Sequence, residues 1–192
     1  MNTRHLTFSL LLLTLTACSV LQPVKDTATQ HLLEPLVPDR NLTAARPAIA
    51  VGRPSLPGYL DSNQLVTRSA GQLMVSKHDL WGEPLDSGIS RVIASNLSRL
   101  TGSMNIQPVE SFTSLDYTTL LELKIAQFEP DSANQMVLQG TWKLQPVTGG
   151  ETSTHYFRLL IPVPPDPTSL RARVTAMNQA LEQLARQIAR HH

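Results

Sequence analysis

The stretch Thr118–Phe128, TTLLELKIAQF, decides the fold class, and Gln135–Val147, QMVLQGTWKLQPV, follows it after a short polar break. Apolar and polar residues alternate along both, as at Leu121, Leu123 and Ile125. Such alternation places one set of side chains on each face of a strand. We therefore predict two neighbouring antiparallel strands with one buried and one solvated face.

Shorter strand-like runs lie on both sides of this pair. A hairpin is predicted around Ser69-Ala70-Gly71, and Gly149-Gly150 is predicted to form another hairpin turn. Pro35 places the first run at a sheet edge or ends it. The predicted strands are His31–Leu36, Ala48–Val51, Gln64–Arg68, Gln72–Ser76, Asn105–Val109 and Thr154–Val163.

Two helices are predicted, at residues 84–101 and 169–190. In each, apolar residues recur every three or four positions, and Gly102 is placed to end the first. Asn96 falls on the first apolar stripe, where a satisfied buried amide is the ordinary expectation. The arginine-rich second helix also suits a membrane surface, but its apolar face lacks aromatic residues, which favours packing on the sheet. The predicted fold is α+β, a mainly antiparallel sheet with both helices on one face.

The N-terminus has the pattern of a bacterial lipoprotein signal. Arg4 precedes an apolar run from Leu6, and Leu15-Thr16-Ala17-Cys18 stands where a cleavage site belongs. An uncleaved anchor is the first alternative, but the run is shorter than the roughly 18 residues that span a bilayer. An ordinary cysteine is the second alternative, and the position of the tetrapeptide argues against it. We predict a signal peptide at residues 1–17.

Cys18 is then the lipidation site, carrying a diacylglycerol and an N-linked acyl chain such as palmitate. Residues 18–30 are predicted to be the lipidated N-terminus and a flexible tether, followed by one domain at residues 31–192. Cys18 is the only cysteine, so no disulfide can form within the chain. Because Ser19, and not aspartate, follows Cys18, the outer membrane is a better prediction than the inner one.

Charge and motifs argue against two broad classes of function. The chain has 16 Lys and Arg against 15 Asp and Glu, which gives no basic surplus for nucleic acid. Nucleophile elbows, phosphate-binding glycine loops and metal-ligand motifs are absent from the sequence. No catalytic residue, metal or further cofactor is therefore predicted. The adjacent His78 and Asp79 are interpreted as a solvated turn, and an enzyme would require His78 or His155 in a cleft beside a carboxylate or serine.

One region resembles a known family. Leu56-Pro57-Gly58-Tyr59-Leu60 and, further on, Trp81-Gly82-Glu83-Pro84-Leu85 are similar in kind and order to motifs of the ABC-type transport auxiliary lipoproteins, the PqiC family. The resemblance implies a non-enzymatic, periplasm-facing lipoprotein. It would assist an MCE-domain protein in moving lipid between the two membranes and so preserve envelope integrity. The resemblance also allows a homo-oligomeric ring.

A partner interface is expected near these motifs. Tyr59 and Trp81 are amphipathic aromatics of the kind found at interfaces, although both are equally suited to a core. The candidate interface residues are Leu56, Pro57, Tyr59, Leu60, Trp81 and Glu83. Two alternatives remain open: a structural or assembly lipoprotein without a transport role, and a lipid carrier, which would need an enclosed apolar cavity.

Overall fold

The computed structural model describes residues 28–39, 41–43, 47–111, 117–163 and 170–191, and within them lie eight strands, two α-helices and a short 3-10 helix at Val109–Ser111. The strands are β1 (Thr29–His31), β2 (Ile49–Val51), β3 (Gln64–Ser69), β4 (Gln72–Trp81), β5 (Ile106–Pro108), β6 (Thr119–Pro130), β7 (Gln135–Pro146) and β8 (Thr154–Pro162). The helices are α1 (Leu85–Thr101) and α2 (Leu170–Ala189). The predicted α+β class and both predicted helices are confirmed.

The strands form two sheets. The larger has the order β5-β2-β6-β7-β8 and the smaller the order β1-β4-β3. The long pairs β6–β7 and β7–β8 and the β3–β4 hairpin are antiparallel, as predicted. The short strands β1, β2 and β5 pair in parallel, so both sheets are mixed. Parallel pairing arises because helices and long loops connect these short strands to their neighbours.

The β6–β7 hairpin is the centre of the larger sheet. Its register breaks between Ile125 and Gln127, which marks a β-bulge on β6. Gly140 lies opposite this point, and a Cβ there would collide with the Lys124 carbonyl oxygen and lie 3.0 Å from Phe157 Cζ. The glycine is therefore required by the close approach of neighbouring backbone and ring.

Both helices pack on the larger sheet and against each other. Buried side chains of α1, among them Ile89 and Ile93, join those of α2 and of the strands in one core. Gly102 adopts the left-handed conformation after α1 and its N–H bonds the Ser98 carbonyl, which is the predicted helix end. This burial of two amphipathic helix faces is the main source of stability.

The prediction of a strand at His31–Leu36 is wrong beyond its first residue. Pairing with β4 ends at His31, and the following chain is held by helix side chains. Asn178 Oδ1 accepts the Glu34 N–H at 3.0 Å, and Asn96 Oδ1 accepts the Val37 N–H at 3.2 Å. Arg91 and Arg99 donate to the carbonyls of the same segment. Polar helix side chains thus replace a neighbouring strand, which sequence periodicity does not reveal.

Three local predictions differ from the structure in detail. His78 and Asp79 lie within β4 and not in a turn, because the hairpin strand extends to Trp81. Gly149 and Gly150 have positive φ as expected of turn glycines, but β7–β8 pairing ends at Lys143 and Thr154, so the connection is wider than a tight turn. Asn96 is fully buried and bonded through its oxygen, while its Nδ2 has no partner in the described part of the chain.

Candidate functional site

The loop Leu56–Leu60 follows Ser55, which pairs with β6 of the larger sheet. Ser55 exchanges backbone hydrogen bonds with Leu123 and Ile125 on β6, and the chain then turns so that the Leu60 N–H bonds the Pro57 carbonyl at 2.9 Å. Leu56 and Tyr59 pack against the core, and Leu60 is buried in it. The loop is therefore anchored by its apolar residues at both ends.

Tyr59 belongs to a polar network that sequence analysis missed. Its hydroxyl donates to Glu129 Oε2 at 2.9 Å, and Arg68 Nε donates to Glu129 Oε1 at 2.8 Å. The Phe128 N–H also bonds Glu129, whose side chain is 0 % exposed. A buried carboxylate requires such partners. The network joins the loop, the end of β6 and the β3–β4 hairpin.

The same network changes the acidity of Tyr59. Burial of the phenol, followed by its hydrogen bond to Glu129, raises the pKa of Tyr59 to about 12. The Arg68 guanidinium lies 5.6 Å from the centre of the Tyr59 ring, close enough for a cation–π contact. The Tyr59 hydroxyl therefore points into the molecule, and its ring contacts the guanidinium of Arg68 on β3.

Trp81 ends β4 and is 7 % exposed, within the core between the hairpin and α1. Its N–H bonds the Asn63 carbonyl at 2.7 Å, and the next N–H, from Gly82, bonds the His31 carbonyl. These bonds position Trp81 where the smaller sheet meets the loop before β3. The buried ring belongs to the same core as the helices and the larger sheet.

Glu83 lies between β4 and α1 and is partly exposed. Arg91 Nη2 contacts its Oε1 at 2.5 Å, and the same guanidinium donates to the Leu33 carbonyl. An open surface depression of about 380 Å³ surrounds this point, lined by Trp81, Glu83, Pro84, Leu85 and the polar segment Asp61–Asn63. Of the candidate residues, Trp81 and Glu83 thus meet at one depression, while Leu56–Leu60 lies in the preceding loop.

The apolar space beneath the hairpin is almost filled. The cavity lined by Leu65, Trp81, Phe128 and Met177 has a volume of about 10 Å³. That is room for roughly one water molecule and far less than the 300 Å³ or more of ordinary ligand pockets. An acyl chain does not fit there, which counts against a carrier that holds lipid between hairpin, sheet and helix.

The histidines form two separate contacts. Asp79 accepts from His31 Nε2 at 3.0 Å and from Ser76 Oγ at 2.7 Å, and the His31 bond is the main cause that lowers the pKa of Asp79. His155 Nε2 lies 2.8 Å from Ser153 Oγ. A serine is therefore within hydrogen-bond reach of His155, as a catalytic histidine would require.

The surroundings of His155 are those of an aromatic cluster. Its ring stacks on Trp142 at 4.1 Å between centroids and lies 4.6 Å from the ring of His191, beside a depression of about 150 Å³. A hydrolytic triad also needs a group that orients the histidine, and within the described part of the chain His155 contacts Ser153, Trp142 and His191. The contact with Ser153 is solvent-exposed, which favours a surface hydrogen bond over a nucleophile.

The described residues contain no group of three metal-binding side chains and no helix long and apolar enough to cross a membrane. Cys18, Ser19 and the predicted signal peptide lie outside the described residues. The lipidation site therefore stays a prediction from sequence.

The comparisons with known proteins complete these observations. Residues 31–189 match the profile of the family described as the ABC-type transport auxiliary lipoprotein component. The chain belongs to this family. The resemblance noted from the Leu56–Leu60 and Trp81–Leu85 motifs is thereby confirmed. Comparison with curated proteins finds no match.

Two solved structures share the fold. One, described as an uncharacterized protein, has a TM-score of 0.68 at 22 % identity and covers 86 % of this chain and 98 % of its own. The other is protein XCC0632 from Xanthomonas campestris, of family DUF330, with a TM-score of 0.68 at 18 % identity over 84 % and 93 % of the two chains. At these identities the similarity establishes the architecture alone.

Proposed function

We propose that this protein is a lipid-anchored, periplasm-facing accessory component of an MCE-type system that carries lipid between the inner and outer membranes and preserves envelope integrity. The observation that supports the proposal most is the family match over residues 31–189, which makes the chain an auxiliary component of an ABC-type transport system. The predicted lipoprotein signal at residues 1–17 and Cys18 lie before the matched region, with twelve residues between Cys18 and that region, as expected of such a component.

The anchor is proposed to be a diacylglycerol thioether and an N-acyl group on Cys18, held in the outer membrane. Two acyl-type attachments supply the stable membrane binding that a single chain does not. The absence of aspartate at position 19 supports sorting to the outer membrane.

The proposed partner is the MCE-domain protein of the same system. The depression at Trp81, Glu83 and Asp61–Asn63 is the part of the candidate interface that a partner can reach, because Leu60 and most of Trp81 are buried. Leu56 and Pro57 are also partly exposed and lie in the preceding loop. A ring of several copies around the partner is compatible with the proposal.

One alternative function is supported by a specific observation. The almost filled core fits a scaffold better than a carrier, so a structural or assembly lipoprotein without a transport role is the second candidate. It differs from the first only in which proteins the chain binds.

The test is co-purification of the lipidated protein from its native envelope in mild detergent, with bound proteins identified by mass spectrometry. Recovery of an MCE-domain protein or its permease is the expected result. Recovery of outer-membrane assembly or cell-wall proteins without any MCE component would establish the structural alternative.

The control for anchoring is Cys18→Ala. The variant cannot receive the diacylglycerol, so we expect it to leave the outer-membrane fraction and to lose the lipid mass. A variant that stays in the outer-membrane fraction at the wild-type level would show that the anchor has been wrongly assigned.

A further inference from the structure

The end of the β3–β4 hairpin carries an unusual concentration of exposed apolar surface. Leu73, Met74 and Val75 are consecutive in β4, with exposed fractions of 41 %, 60 % and 51 %. Exposed single hydrophobic residues are ordinary, but three adjacent ones mark a contact surface. We call residues Ala70–Val75 the hairpin tip.

Each face of the hairpin tip carries exposed apolar side chains beside polar ones, since Gln72 lies on the face of Met74 and Arg68 lies opposite Leu73. Successive side chains of a strand point to opposite faces, so Leu73 and Val75 lie on one face and Met74 on the other. Across the hairpin, Arg68 pairs with Leu73 and Thr67 with Met74. A flat protein surface would cover one face only, whereas a membrane interface surrounds an inserted element on all sides.

The direction of β1 brings the start of the described chain to the side of the hairpin tip. β1 runs parallel to β4, with Thr29 opposite Asp79 and His31 opposite Trp81. The N-terminal end of β1 therefore points toward the start of β4, which is the hairpin tip. The described chain therefore begins, at Ala28, at the end of β1 that faces the hairpin tip.

The length of the chain before β1 limits how far the tip can lie from the membrane. Thr29 lies eleven positions after Cys18, and these eleven Cα–Cα steps span at most roughly 36–40 Å when fully extended. The seven steps from Asp79 back to Gln72 cover roughly 23 Å of β4 in the same direction. When β4 lies along the membrane normal, the difference between these two lengths is the largest distance from the tip to the anchored lipid. It is roughly 15 Å even if the chain from Cys18 to Thr29 is fully extended.

The charge beside the tip fits the same orientation. Lys77 is exposed in β4, on the face of Leu73 and Val75 and one step farther from the turn. An apolar tip followed by a lysine is the order expected when apolar side chains enter the acyl boundary and an ammonium stays among phosphates.

We propose that the hairpin tip inserts shallowly into the membrane that holds the lipid of Cys18, giving the domain a second membrane contact and a fixed orientation. This inference rests on the proposed lipid anchor. The occupant of the apolar surface is the bilayer interface, and a second copy of the chain or another protein are the competing outcomes of the test.

The experiment uses a single probe position. Cys18 is the only cysteine, and its thiol is consumed by lipidation, so Met74→Cys provides one reactive thiol for a nitrobenzoxadiazole label. Leu73→Cys provides the opposite face, and Val147→Cys the control. Val147 has an exposed fraction of 50 %, between those of Leu73 and Met74. It follows β7 at the open end of the β6–β7 hairpin, away from its turn.

The labelled, lipidated proteins are bound to vesicles of phosphatidylethanolamine and phosphatidylglycerol, with and without spin-labelled phospholipid. We expect emission at positions 73 and 74 to shift to shorter wavelength and to be quenched by the spin label, with neither change at position 147. Quenching at both 73 and 74 is the result specific to insertion.

Other results would overturn the inference in distinguishable ways. A shift without lipid-borne quenching means that protein, such as a second copy, covers the tip. Quenching at only one of the two positions means one-sided docking. Protein that floats with the vesicles but shows no shift leaves the anchor intact and rejects the tip contact, whereas failure to float rejects the anchor and the tip contact together.

Discussion

Strands β8 and β4 have similar lengths and each pairs with an antiparallel neighbour, yet they meet different surroundings. From Thr154 to Pro162, exposed and buried residues alternate along most of β8, because one face lies on the core beneath α2. In β4, almost every residue before Leu80 is exposed, and only Trp81 is buried. The comparison teaches that hydrogen-bonded pairing fixes a strand locally, while its burial depends on what covers it.

The two regions therefore have different physical roles in our account. The larger sheet and its helices enclose the apolar core that stabilises the domain. Leu65 and Trp81 attach the base of the β3–β4 hairpin to that core, and Arg68, nearer the turn, bonds Glu129. Residues 70–75 at the tip are exposed. Stability belongs to the first region, and contact with other molecules to the second.

The largest expected effect comes from truncating the core beside the hairpin base. Phe128 is fully buried, so we expect Phe128→Ala to lower the free energy of unfolding by about 3–5 kcal/mol. Met74→Ala in the exposed tip should change it by less than about 0.5 kcal/mol. Urea denaturation of both variants measures the difference. Equal destabilisation would mean that the tip is packed and that the comparison is wrong.

A second variant probes the close approach at the centre of the larger sheet. Gly140→Ala places a Cβ against the Lys124 carbonyl oxygen and the Phe157 ring, and we expect a loss of about 3 kcal/mol. Gly58→Ala is the matched control, because its Cβ would meet no atom within 4 Å. Thermal unfolding compares the two, and a Gly140→Ala protein as stable as the control would contradict the assigned packing.

A third variant separates the hairpin from the core. Glu129→Gln removes the charge that accepts from Tyr59 and Arg68, and we expect a loss of about 2 kcal/mol, since hydrogen bonds to a buried charged group are involved. Glu122→Gln is the control, because Glu122 is exposed and its pair with Lys143 contributes little. Hydrogen exchange on β3 should accelerate in the first variant only. Unchanged β3 exchange would show that Glu129 does not connect the hairpin to the core.

The smallest effect is a pH dependence. The pKa of Tyr59 is raised from 10.0 to about 12 in the folded chain, so folding favours the protonated phenol. The resulting stabilisation is complete below pH 10 and is lost as the pH rises through 12. Wild type should lose more stability than Tyr59→Phe between these values, as followed by denaturation at each pH. Identical slopes for the two proteins would contradict the buried hydrogen bond to Glu129.

The sequence predicts the larger sheet and the helices well because their periodicities continue over many residues. Leu121, Leu123 and Ile125 alternate as the structure requires, and the spacing of apolar residues locates both helices within one residue at each end. Each long periodic element has a single buried face, and the apolar residues of that face can be recognised in the sequence.

The Glu129 network was missed because the bulge on β6 changes the phase of the strand. Ile125 and Gln127 are two positions apart and would share one face of a regular strand, yet Ile125 is buried and Gln127 is not. In the sequence, the signal for this shift was the break in apolar–polar alternation after Ile125. Beyond the bulge Phe128, Glu129 and Pro130 are all buried. A carboxylate at the predicted end of a strand is expected to be solvated, so its burial depends on Tyr59 and Arg68, which are distant in sequence.

The segment after β1 shows a second limit of periodicity. Leu32–Leu36 looks like a strand because its apolar residues cluster, but the side chains of Asn96 and Asn178 supply its hydrogen bonds. Such pairing requires two helices that are far away in the chain. The candidate aromatics illustrate the same point, since only tertiary structure shows that Trp81 is buried.

The most direct test of the division between core and contact region is hydrogen exchange of the lipidated protein on vesicles, compared with a variant carrying Leu73→Ser, Met74→Ser and Val75→Ser. Both proteins keep the lipid on Cys18, so only the tip differs. We predict that amides of residues 72–76 exchange more slowly in wild type than in the variant, while amides of β6 and β7 exchange equally slowly in both. Equal exchange at the tip in the two proteins would contradict the account.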